Sequence, residues 1–97
     1  MTRKEILDAA AQIVTQDREE QYGAPEDSLG LIASFWELYL NEVAVSFDGR
    51  VDLLPETVAH MMILMKIARS AIGKPKADNW IDIAGYAACG GELQEVR

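Results

Sequence analysis

Lys66 and Arg69 stand three positions apart in a stretch that is otherwise almost wholly apolar. At that spacing two side chains leave a helix on the same side. Lysine offers a point charge and arginine a planar fork, a combination suited to phosphate oxygens. Lys74 and Lys76 follow, so four of the nine Lys and Arg residues fall between positions 66 and 76. The plain alternative for Lys74 and Lys76 is a solvated helix end whose cations complement the dipole. Lys66 is a different case. It lies between Met65 and Ile67, and an ammonium buried there needs either a carboxylate or a ligand.

Acidic partners are close by in the chain. Asp78 and Asp82 are one helical turn apart, a spacing that can hold Mg²⁺ or orient Lys66 and Arg69 through ion pairs. Asp78 also fits a helix N-cap, so Asp82 is the stronger candidate for a site. Asn79 can bond a base edge or ribose, though an asparagine in a first helical turn is ordinary. Arg18 and Tyr22, near Asp17 and Glu19, offer a cation and a stacking ring; a surface charge cluster is the plainer account. Trp36 and Trp80 occupy apolar helical positions and read first as core, with Trp80 the stacking surface if a base binds. His60, between Ala59 and Met61, reads as a core or interface histidine. Gly85 inside a helix costs about 1 kcal/mol relative to Ala, which close approach of a second helix or a ligand would explain. No nucleophile triad, P-loop or dinucleotide-binding turn is present.

The 97 residues carry nine Lys+Arg against sixteen Asp+Glu, a formal charge of −7. That balance argues against a sequence-independent nucleic-acid binder, which needs a basic face. It leaves room for a small anion in a locally positive pocket. The single cysteine and single histidine rule out an intrachain disulfide and a closed structural zinc site. No apolar h-region follows Arg3 and Lys4, and the run Met61–Met65 is too short to span a bilayer. The expectation is a cytoplasmic, single-domain protein over 1–97 with no resident cofactor and no membrane or nucleic-acid partner.

Punctuation by Pro and Gly divides the chain into four helical segments. Thr2 to Glu5 fits a capping box, and Ile6, Ala10 and Ile13 recur at helical spacing, predicting a helix over about 3–20. Tyr22-Gly23-Ala24-Pro25 ends it, and Leu29 to Val43 predicts a second helix over about 26–44. A turn is expected over 46–52. Pro55 opens a third helix that Gly73 closes. Its centre, Val58 to Ala68, is apolar nearly all round, the pattern of a helix buried in a bundle or by a partner subunit. A fourth helix is expected from Asp78 as N-cap to Gly90-Gly91, with the last six residues extending it or fraying. The fold expected is an all-α bundle of about four helices, completed by homo-oligomerisation.

Three blocks carry a wider resemblance: Asp17-Arg18-Glu19 with Tyr22 to Asp27, Met61 to Arg69, and Lys76 to Ala87. Together they resemble a family of small, uncharacterised phage and prophage proteins over nearly the whole chain. The order of Lys-x-x-Arg on one helix and Asp-x-x-x-Asp-x-x-Gly-Tyr on the next is also distantly similar to the MazG-like, all-α nucleotide pyrophosphohydrolases. That similarity implies Mg²⁺-dependent chemistry on a triphosphate. Those enzymes use paired Glu-x-x-Glu and Glu-x-x-Asp motifs, whereas here Glu-x-x-Asp occurs only at Glu5–Asp8. The phage resemblance implies instead a non-enzymatic protein that sequesters a nucleotide signal of bacterial anti-phage defence. On that reading Arg18, Lys66, Arg69 and Lys76 hold phosphates, Tyr22 and Trp80 stack, and Asp78, Asn79 and Asp82 bond ribose or base or orient the cations. A third expectation is a structural or protein-interaction bundle.

Overall fold

Thr2 starts the first helix as its sequence predicts. Its Oγ1 accepts from the Glu5 N–H at 3.1 Å, and Glu5 Oε1 accepts from the Thr2 N–H at 2.9 Å. The computed structural model describes residues 1–17, 20, 24–43 and 51–95, excepting the side chains of 42 and 43. Among them are four α-helices: α1 (Arg3–Gln12), α2 (Pro25–Val43), α3 (Pro55–Ile72) and α4 (Ala77–Glu95). The all-α bundle expected from periodicity is what folds.

Two helix boundaries depart from expectation. The helix expected over about 3–20 is helical through 17 but changes type at Gln12, passing from α1 into a π-helical segment, Ile13–Asp17. The run Ile13-Val14-Thr15 is β-branched and helix-averse, and the Thr15 hydroxyl donates to the Ala11 carbonyl at 2.6 Å, competing with the backbone ladder. α4 begins at Ala77, so Asp78 lies in its first turn and is not the N-cap. At the other end the residues after Gly90-Gly91 extend α4 as far as Glu95, one of the two outcomes expected. Leu93, buried beyond the glycines, holds that extension against the core. The turn expected at 46–52 falls largely outside the described residues, and 51–54 are non-helical.

The core is small. Leu29 and Ala33 of α2, Val58 and Ala59 of α3 and Leu93 of α4 form its buried centre, flanked by Ile32, Trp36, Met62 and Tyr86. α3 packs on α4 along their length, α2 lies against α3, and α1 lies against α4. Glycines set the closest approaches. A Cβ on Gly85 would sit 3.0 Å from Val14 Cγ1, and one on Gly90 would sit 3.1 Å from the Ala59 Cβ. Gly85 is therefore explained by helix packing, and the π-helical segment carries the side chain that meets it.

Residues 51–53 are latched to α2 by side chains. Asn41 accepts from the Val51 N–H at 2.8 Å and donates to the Val51 carbonyl at 3.1 Å, while Glu37 accepts from the Leu53 N–H at 2.8 Å. The surface is large for the mass. Monomers of 10.7 kDa typically expose about 5,500 Å²; this chain exposes 7048 Å². Its radius of gyration is 15.0 Å, against about 12.5 Å for a typical domain of this length.

Candidate functional site

The apolar centre of α3 faces α4, so Lys66 enters the bundle where α4 brings up Asp82. Lys66 Nζ lies 2.8 Å from Asp82 Oδ2, and the two side chains are only 14% and 16% exposed. The carboxylate that Lys66 needs is thus supplied within the chain. The pair ties α3 to α4 one turn before Gly85, where Val14 of the π-helical segment closes in.

Arg69, one turn beyond Lys66, is exposed, as are Lys74, Lys76 and Asp78. None of these three cations forms an ion pair among the described residues. Residues 66–82 hold four Lys and Arg and two Asp, whereas the rest of the chain holds five cations and fourteen acids. The α3–α4 corner is therefore a positive island on an acidic protein.

Asn79 and Trp80 separate sharply. Asn79 is buried at 8% exposure, out of reach of a base edge, whereas Trp80 is 58% exposed. Tryptophan is highly buried on average, and the core reading of Trp80 is corrected here: its neighbours Asn79 and Ile81 take the inward positions. Trp36 does pack against the core, half-buried. Side chains two positions apart leave a helix in nearly opposite directions, so Trp80 and Asp82 lie on opposite sides of α4. His60 is exposed, which corrects its reading as a core residue. Arg18 and Tyr22 lie outside the described residues.

Of the nine residues predicted for a ligand site, Lys66 and Asp82 engage each other. Arg69, Lys76, Asp78 and Trp80 are each exposed, at the end of α3, in the link and in the first turn of α4, and Asn79 points inward. A separate cleft of about 320 Å³ opens between the π-helical segment, the start of α2 and α4, lined by Val14, Thr15, Pro25, Ala88, Cys89 and Glu92. None of the predicted site residues lines it. Glu56, buried at 6%, was legible only as an acid complementing the dipole of α3; nothing in its spacing signals burial. Among the described residues, no three His, Cys, Asp or Glu side chains group so as to hold a metal ion, and no helix is long and apolar enough to cross a membrane.

The sequence profile of a family described as "Domain of unknown function (DUF6378)" matches residues 5–94. The chain belongs to that family. Among its relatives, the Gene 55 protein of Mycobacterium phage L5 is 36% identical over 92 residues, covering 95% of this chain and 52% of the relative. The Gene 55 protein of Mycobacterium phage D29 is 34% identical over 84 residues, covering 87% of this chain and 50% of the relative. The DUF6378 chain thus spans about half the length of these curated relatives. Both are phage proteins, as the resemblance read from the motifs implies, and these comparisons do not extend to the MazG-like pyrophosphohydrolases. No solved structure matches.

Proposed function

We propose that this DUF6378 chain binds a phosphorylated nucleotide at the α3–α4 corner without turning it over. On this reading it sequesters a nucleotide signal of anti-phage defence in the cytoplasm of the infected cell. One observation carries the reading. In a chain of charge −7, Arg69, Lys74 and Lys76 are all exposed along the end of α3 and its link to α4, without ion pairs among the described residues, and the first turn of α4 leaves the Trp80 indole 58% exposed. Exposed cations hold phosphates, the N-terminus of α4 adds its dipole, and an exposed indole offers a base its face. The phage relatives favour the biological setting. Lys66 and Asp82 then position the corner by clamping α3 to α4, and Asn79 serves packing.

The test is a titration with ATP, ADP-ribose and a cyclic dinucleotide, read by Trp80 fluorescence in a Trp36→Phe background. Denaturing the complex afterwards should return the nucleotide intact. Arg69→Ala or Lys76→Ala should each weaken binding about tenfold, as loss of a charge-assisted hydrogen bond does. Absence of both a fluorescence change and a thermal shift refutes nucleotide binding and leaves an interaction bundle. Release of pyrophosphate with Mg²⁺ replaces the reading with a pyrophosphohydrolase.

A further inference from the structure

The outward side of α2 is inverted for a solvent-facing helix. Leu31, Phe35, Leu38 and Tyr39 are 55–65% exposed and recur at the i, i+4, i+7, i+8 spacing of one face. Between Ser28 and Asn41 the helix holds one charged residue, Glu37, and its carboxylate turns away to accept from the Leu53 N–H. The stripe is therefore free of charge over more than three turns. Patches of this kind mark interaction sites.

We infer that a second copy of this chain docks on this stripe, antiparallel about a twofold axis through Phe35. Three observations select that occupant. The chain exposes roughly 1,500 Å² more surface than a monomer of its mass, and a standard interface takes about 800 Å² from each partner. Two copies of charge −7 repel, and between Ser28 and Asn41 this stripe brings no charge to the seam, since Glu37 is turned toward Leu53. Finally, the stripe complements itself. With Phe35 on the axis, Leu31 of one copy meets Tyr39 of the other. The spacing is that of paired helices crossing at about 20°. Sequence alone pointed to α3, which also exposes Leu64, Ile67 and Ile72; its outward positions include the charged Arg69, whereas the α2 stripe carries no charge. This inference is independent of the nucleotide reading, and either can fail alone.

Sedimentation of the wild-type chain at tens of micromolar should give about twice 10.7 kDa. Phe35→Glu and Phe35→Lys should each give monomers with unchanged helical circular dichroism, because Phe35 is 61% exposed in the single chain. Mixing the two variants should restore the dimer, since only a twofold axis at position 35 brings the new charges together. If either variant misfolds, Leu38→Glu and Leu38→Lys test whether the stripe is the interface at all. A monomeric wild type overturns the inference, as do single variants that stay dimeric or a mixture of folded Phe35 variants that stays monomeric. Retained dimers in the Leu38 pair overturn it equally.

Discussion

Removing the ammonium of Lys66 should cost this protein a large part of its stability. Opposite charges 2.8 Å apart attract by about 6 kcal/mol at an effective dielectric near 20. Most of that attraction offsets the desolvation of both groups. Truncation does not recover the offset. In Lys66→Ala, Asp82 stays 84% covered and loses its contact with the Lys66 ammonium. Breaking buried pairs costs roughly 3–5 kcal/mol, and slight solvent access trims this to about 2–4. For a chain of this length that is a fall in Tm of roughly 10–25 °C. The double replacement Lys66→Met with Asp82→Leu should cost less than Lys66→Ala alone, because both charges of the pair leave together. Urea and thermal unfolding of both single variants and the double complete a cycle whose coupling term isolates the pair. A Lys66→Ala variant within about 0.5 kcal/mol of wild type would refute the clamp. If that same variant also lost nucleotide binding, Lys66 would be a ligand group after all.

Two glycines of α4 should respond oppositely to alanine. Gly85→Ala forces a Cβ to 3.0 Å from Val14 Cγ1 and should destabilise by about 1–3 kcal/mol, with Val14→Ala restoring stability on thermal unfolding. Gly91→Ala meets nothing within 4 Å and should stabilise by about 0.5–1 kcal/mol. Asn41→Ala releases residue 51 from both its hydrogen bonds and should cost about 1–3 kcal/mol, with faster amide exchange at Val51. The Thr2 backbone N–H holds the Glu5 carboxyl below its usual 4.5. A lowered folded pKa adds stability above the unfolded value and loses it as pH falls through the folded one. The stability gap between wild type and Glu5→Gln should therefore close in acid; a gap that stays constant there would contradict the capping box.

The helices were legible because their signals are local. Thr2 and Glu5 announce a capping box three residues apart, and Pro25, Pro55 and Gly73 mark ends that depend only on their own backbone chemistry. The features left open or misjudged depend on what lies across the bundle. Whether the chain after Gly90-Gly91 extends α4 or frays is left open by the sequence, and Ala59 against Gly90 with Leu93 buried beyond decides it. The π-helical segment answers to Gly85, some seventy residues on. Lys66 could be read as needing a carboxylate, and Asp82 was the better candidate, since both statements follow from helical spacing and the cost of burial. Trp80 could not be placed, because an apolar residue on a weakly amphipathic helix has no inward side until the neighbouring helices arrive. Glu37 and Asn41 look like ordinary surface residues of α2, and only the returning chain gives them a role.

The placement of α1 has a consequence for how the molecule opens. α1 has the best-formed cap among the described helices but a single buried residue, Ala10. Its principal contact is with α4, at the far end of the sequence. By contrast α3 and α4 are joined through the short link Gly73–Lys76 and clamped by Lys66 and Asp82. Local contacts form early and distant ones late, so the α3–α4 hairpin is the natural nucleus and α1 docks last. The reverse process follows the same order: α1 lifts from α4 with little apolar surface to uncover, while the hairpin stays shut. Native-state hydrogen exchange would register this as early loss of protection in α1, well below the free energy of global unfolding.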